Sequence, residues 1–157
     1  MSQKNLCLDN KVTIHLAKKE DMPDLFALID SYSDNDLKDN GIEIDREAIK
    51  SRADVLVEST SVLIGKVNGN VIGAIAGVVT PCGFSKEVYF NSCFFYIVPG
   101  MRKYTKDFLK EIELSLLPTD ITQLVIGVPG FKSYFKLCRF MSLSGYKLLE
   151  SHFYKKV

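Results

Sequence analysis

The chain is poor in the residues that build reactive centres. Its 157 residues include two histidines, His15 and His152, and four cysteines, Cys7, Cys82, Cys93 and Cys138, none in a C-x-x-C spacing. A zinc site is therefore badly supplied, and no metal is expected. No Ser/His/Asp or Cys/His grouping is visible, which leaves covalent catalysis without a candidate constellation. Net charge is nearly absent as well. Lys plus Arg total 20 against 19 Asp plus Glu, a formal charge of +1, so no overall field draws the chain to nucleic acid or to an anionic membrane. Long apolar runs are missing: the one at residues 71–79 is about half of the ~20 residues that cross a bilayer. Residues 1–11 (MSQKNLCLDNK) have no apolar core of the length a secretory signal needs, and read as a short flexible leader on a cytoplasmic protein.

What is present is globular. At 46% hydrophobic and 25% charged residues, the composition suits one compact domain over residues 12–157. Cys93 and Cys138 lie in apolar segments and read as small hydrophobes, while His15 and His152 read as structural histidines in strands. Tyr89, Phe95 and Tyr96 read as sheet core, because no basic groove accompanies them to make a stacking platform for single strands.

The periodicity changes along the chain. Residues 12–17 (VTIHLA) alternate as a strand, and a helix follows with Asp21 as its N-cap and Met22, Leu25, Phe26 and Ile29 on one face. Residues 33–41 are polar and turn-rich and read as a surface loop. Asp45 caps a second helix, whose face is Ile49, Ala53, Leu56 and Val57 and whose end is near Glu58. Two apolar runs then flank Asn68-Gly69, a hairpin signal. The second run carries Gly73, Ala74, Ala76 and Gly77, a set of small residues that implies close approach by something bulky. Residues 88–98 (VYFNSCFFYIV) form a long aromatic strand stopped by Pro99-Gly100. A helix from Thr105 to Leu116 presents Phe108, Leu109, Ile112 and Leu116, and residues 123–128 (QLVIGV) make a buried strand. Strand, helix, strand at that spacing is a βαβ unit, so these two strands should be parallel. A helix over 131–143, stopped by Gly145, and a final strand from Tyr146 complete a mixed α/β order. The aromatic edge after Tyr146 points to self-association as a homodimer. No internal repeat, linker or low-complexity tract is visible.

Three segments in this order resemble the GNAT acyltransferases, the GCN5-related N-acetyltransferase family, and the resemblance spans nearly the whole of residues 12–157. VTIHLAKKEDMPDLFALI resembles the family's first strand running into its first helix. YIVPGMRKYTKDFLKEIE resembles the exit of its fourth strand into its cofactor helix, with Pro99 and Arg102 in matching places. FKSYFKLCRFMSLSGYKLLE resembles its last helix, which ends in a Gly-aromatic pair, here Gly145-Tyr146. The resemblance implies a mixed α+β fold, with a central sheet of about six to seven strands flanked by about four helices. It also implies an acyl-CoA-dependent N-acyltransferase, an acetyltransferase in the first instance, that uses acetyl-CoA as co-substrate, needs no metal and acts on an amine acceptor that the sequence does not identify.

On this resemblance the backbone of Tyr96, Ile97 and Val98 would hold the pantetheine arm. The loop of Arg102, Lys103, Tyr104, Thr105, Lys106 and Asp107 would hold the pyrophosphate at a helix N-terminus. The family pattern there is R/Q-x-x-G-x-G/A, and this chain places Thr105 and Asp107 where the small residues belong, so the loop is degenerate. Thr105 would cap the helix and offer its hydroxyl to a phosphate. Asp107 would have to turn away, toward Lys103 or Lys110, since a carboxylate repels a pyrophosphate. Met141 occupies the family's usual tyrosine position. Tyr134, as acid for the leaving thiolate, and Glu87, as base for the amine, are then the catalytic candidates. The joint loss of motif residues leaves an alternative open: a GNAT-like binding or structural module without catalysis.

Overall fold

The alternating strand at residues 12–17 and the hairpin that follows the two helices dictate a sheet whose two faces must each be covered. The computed structural model describes residues 12–37, 45–59, 61–116, 120–127 and 134–148. The chain divides into two compact units, Met1–Gly127 and Val128–Val157.

The first unit runs β1 (Val12–Leu16), a 3₁₀ turn (Lys19–Asp21), α1 (Met22–Tyr32), a π turn (Ser33–Leu37), α2 (Arg46–Glu58), β2 (Val62–Val67), β3 (Asn70–Pro81), β4 (Val88–Ile97), a second 3₁₀ turn (Arg102–Tyr104), α3 (Thr105–Leu116) and β5 (Gln123–Val125). The sheet order is β1-β2-β3-β4-β5. The first three pairings are antiparallel and β4-β5 is parallel, as the βαβ spacing requires. Five strands are present among the described residues, below the six to seven expected. Of the expected last strand, residues 146–148 form no strand and the remainder lies outside the described residues, as do residues 1–11 and His152.

Alternation along the strands sorts side chains onto two faces. One face buries Leu63, Ile75, Phe90 and Ile97 with Phe108 and Ile112 of α3. The other buries Val62, Ile64, Ala74, Ala76 and Tyr96 with Leu25 and Leu28 of α1 and Val57 of α2. The small residues of β2 and β3 are explained by what covers them. A Cβ on Gly65 would lie 2.3 Å from the Phe108 ring, and one on Gly77 would lie 2.4 Å from the Phe90 ring. The hairpin turn has φ +51° at Asn68 and +81° at Gly69, the pair of left-handed residues that a two-residue type I′ turn demands.

Two helix starts differ from each other. Asp45 accepts from the Ala48 N–H at 3.0 Å, a conventional N-cap. Asp21 does not cap α1 as its position suggests. Its buried carboxylate takes the Lys18 N–H (3.0 Å), Lys66 Nζ (2.8 Å) and His15 Nε2 (3.3 Å), and Lys66 also reaches Asp24 at 2.7 Å. Burial alone pushes the Asp21 carboxyl up; the hydrogen bonds from Lys66 and Lys18, the Lys66 charge and His15 outweigh it and hold the group below the usual carboxylate range. His15 is thus a structural histidine.

The second unit contains α4 (Tyr134–Leu143). It stops as the sequence indicates: Gly145 takes φ +92°, and the Tyr146 N–H bonds the Met141 carbonyl at 3.1 Å, the 6→1 bond of a Schellman end.

Candidate functional site

The site candidate lies where β4 leaves β5. Along its first half β4 is held on both edges. Val88, Phe90 and Ser92 face β5: the Thr122 N–H bonds the Val88 carbonyl at 2.9 Å, and the Gly127 N–H bonds Ser92 Oγ at 2.7 Å. The parallel register covers only Tyr89↔Gln123, Phe90↔Leu124 and Asn91↔Val125, after which β5 ends.

At Cys93 the register against β3 slips by one residue: Ala76 pairs with Phe94 and Gly77 with Ser92. Cys93 is the extra residue of a β-bulge, and its thiol donates to the Ala76 carbonyl at 3.5 Å. A one-residue bulge exchanges the two edges of a strand. Beyond it the Val98 N–H bonds the Ile72 carbonyl at 2.9 Å, opposite the Gly73↔Ile97 pair. Because antiparallel bonds recur at every second residue, Tyr96 directs its peptide groups to β3, whereas Phe95 and Ile97 direct theirs away from it. No described strand lies on that side. Of the predicted pantetheine residues, Ile97 therefore presents backbone donors and acceptors to the gap and Tyr96 does not, while Phe95, absent from the sequence reading, does. The bulge explains the omission: without it the exposed parity would be the other one.

Pro99 and Gly100, with φ +87° at Gly100, turn the chain from β4 into α3. The turn is tight. The Met101 N–H bonds the Val98 carbonyl, the Tyr104 N–H the Met101 carbonyl and the Thr105 N–H the Arg102 carbonyl, so three donors near the helix start are already engaged. Thr105 is the first residue of α3 rather than its cap. It is buried, and its hydroxyl proton goes to the Arg102 carbonyl at 2.6 Å, not outward to a phosphate. Arg102, Lys103, Lys106 and Asp107 are exposed, and Tyr104 is half-buried. Lys103 Nζ stands 5.0 Å over the Tyr104 ring, a cation–π contact. The helix end thus offers three exposed cations and one exposed carboxylate.

Glu87 stands at the other end of β4. Its carboxylate accepts from the Ser85 hydroxyl (3.2 Å) and the Tyr89 phenol (3.3 Å), and it is separated from the Cys93 bulge by six residues of strand, roughly 20 Å. That distance sets it apart from the bulge. Beside it, hydrogen bonds from Ser85 and Tyr89 bring the Cys82 thiol down to about 7, and the hydrogen bond to Cys82, burial and the neighbouring Cys82 and Glu87 charges push the Tyr89 phenol up to about 12. Tyr134 is the first residue of α4 in the second unit. The described cysteines, Cys82, Cys93 and Cys138, are all free. Among the described residues, no group of three or more His, Cys, Asp and Glu side chains could hold a metal ion, and no helix is long and apolar enough to cross a membrane.

No sequence-family model matches the chain, and no curated protein matches it by sequence. Solved structures do. An aminoglycoside acetyltransferase from an uncultured soil metagenomic sample, in complex with trehalose, superposes with a TM-score of 0.71 at 14% identity, over 95% of this chain and 98% of its own. A GNAT family acetyltransferase from Staphylococcus aureus gives 0.66 at 17% identity, over 93% and 98%. The ribosomal-protein-alanine N-acetyltransferase of Brucella melitensis gives 0.63 at 16% identity, over 93% and 99%. The likeness is one of fold: this chain has the GNAT fold.

Proposed function

We propose that this protein is an acyl-CoA-dependent N-acyltransferase, with acetyl-CoA as the first candidate co-substrate and an amine as acceptor. The observation that carries the reading is the fork: a parallel strand pair that parts after Asn91, with the backbone of Phe95 and Ile97 turned into the gap and the start of α3 immediately beyond. An extended arm containing two amides suits a strand edge of that kind, because its N–H and C=O groups pair as a further strand would. Arg102, Lys103 and Lys106 suit its phosphates as long flexible cations, taking over part of what a glycine-lined helix end does with backbone N–H groups.

Acetyl-CoA, when bound, supplies an activated acyl thioester. The chain's own contribution is to fix that group beside the amine and to direct backbone N–H groups of β4 at the carbonyl oxygen. With Glu87 roughly 20 Å away along the strand, water takes the ammonium proton, and Tyr134 remains the candidate acid for the departing thiolate. Calorimetric titration with acetyl-CoA tests the reading: saturable binding is expected, and no binding at millimolar ligand overturns it. Arg102→Ala should weaken that binding, and Tyr134→Phe should lower turnover with binding kept.

A second reading has its own support. The inward-bonded Thr105 hydroxyl and the exposed Asp107 carboxylate both weaken an anion site, as befits a GNAT-fold binding module that no longer transfers acyl groups. Labelled acetyl transfer to a panel of amines separates the two, since a module gives none above background.

A further inference from the structure

Tyr96 connects the fork to a part of the molecule that the proposed chemistry does not otherwise use. Its peptide lies between those of Phe95 and Ile97, the two that face the gap, so anything paired along that edge fixes the backbone on both sides of it. Its side chain is 4% exposed and leaves the sheet on the α1 face. There the phenol pairs with Ser31 Oγ at 3.0 Å and accepts from Asn35 Nδ2 at 3.3 Å. Asn35 Nδ2 also donates to the Ser31 carbonyl at 2.7 Å. These bonds span the junction at which α1 gives way to the π turn Ser33–Leu37, a geometry with poor intrinsic stability that persists where other contacts hold it. The Tyr32 ring completes the junction, edge-on to Phe94 at 5.6 Å and tilted on Tyr96 at 5.2 Å.

Both faces of the sheet are filled at this point. On one, Phe95 and the fully buried Phe108 of α3 approach to 6.4 Å between ring centres and close the core. On the other stand Tyr96 and the turn.

We infer that Tyr96, Ser31 and Asn35 form a positioning relay. It ties the Ser33–Leu37 turn to occupancy of the β4 edge, so that the turn is held more firmly when acyl-CoA is in place. The inference rests on the acyl-CoA reading of the fork. It predicts that a ligand on one side of β4 is felt by amides on the other.

Hydrogen–deuterium exchange of the full chain, followed in peptides covering residues 31–37 with and without saturating acetyl-CoA, tests it. In the wild type the ligand should slow exchange there by about threefold or more. In Asn35→Ala, and in the near-isosteric Asn35→Asp, which lacks the amide donors, acetyl-CoA should bind with unchanged affinity and the slowing should disappear. Tyr96→Phe, which removes one hydroxyl, should lose it as well and serves if the Asn35 variants do not fold. Binding by the wild type with no change at 31–37, or full slowing in the folded variants, overturns the relay and leaves the acyl-CoA reading standing. A wild type that takes up no acetyl-CoA by calorimetry overturns both.

Discussion

The two halves of β4 share one strand and one kind of residue, yet they do different work. From Val88 to Ser92 the strand is bonded on both edges, with Phe90 sealed against Gly77 of β3. Beyond the Cys93 bulge it is bonded, among the described residues, to β3 alone and turns the peptides of Phe95 and Ile97 away from that strand. The comparison teaches that a sheet opens a backbone edge by ending a neighbour early and by shifting parity once, with no special side chain required.

The largest expected effect comes from breaking the closed half. Phe90→Ala removes a side chain that is 2% exposed and should cost about 3–5 kcal/mol by chemical denaturation. A loss below 1 kcal/mol would mean that this half is not the rigid one. Gly77→Ala adds a methyl carbon 2.4 Å from the Phe90 ring and 2.6 Å from the Asn91 carbonyl, and overpacking of that kind should cost about 1–3 kcal/mol. The acetyl-CoA affinity of the folded fraction should hold, since the open half is untouched.

The opposite edge of the sheet supplies a control by pH. The folded-state pKa of Asp21 is lowered, so its contribution is fully present above the ordinary carboxylate value of the unfolded chain and is lost as pH falls through the folded value. Wild-type stability should therefore fall on acidification through and below the carboxylate range. Asp21→Asn should be less stable at neutral pH and show a flatter acid limb in the same denaturation series, with both halves of β4 responding alike.

Ser92→Ala acts on the boundary itself. Losing the 2.7 Å bond from the Gly127 N–H should cost about 1 kcal/mol and weaken acetyl-CoA binding by loosening the fork; Ser92→Thr, which keeps the oxygen, should restore both. Unchanged affinity in Ser92→Ala would show that the clasp does not set the gap. The smallest effect belongs to Asp107→Ala. With an exposed carboxylate removed from the helix start, coenzyme A should bind about two- to threefold more tightly at low salt, and the gain should vanish as salt rises. Weaker binding by the variant would reverse this account of the loop.

Much of the architecture was readable because it rests on local rules. The Asn68-Gly69 turn, the Asp45 cap, the apolar face of α3, the Gly145 stop and the parallel βαβ pair each follow from a few neighbouring residues. The glycines of β3 announced close approach without naming Phe90 as the partner. The candidate site was less legible. Cys93 looked like any apolar strand residue, because a bulge is decided by what stands opposite, at Ala76 and Gly77. Asp21 had the sequence of an N-cap and instead became the buried centre of a network with the nearby Lys18 and His15 and with Lys66, 45 residues away along the chain. Thr105 looked like a phosphate donor until the 3₁₀ turn placed the Arg102 carbonyl within reach.

By itself, then, the sequence determined the kinds and order of the elements, the direction of the β4-β5 pair and the buried faces, because periodicity, capping and turn chemistry act over a handful of residues. Tertiary structure alone decided which peptides of β4 face the gap, which helix-start donors are already engaged and that Tyr96 is bound to Ser31 and Asn35 across 61 to 65 residues of chain. Those outcomes depend on which groups meet across strands and helices, and a bulge of one residue is enough to reverse them.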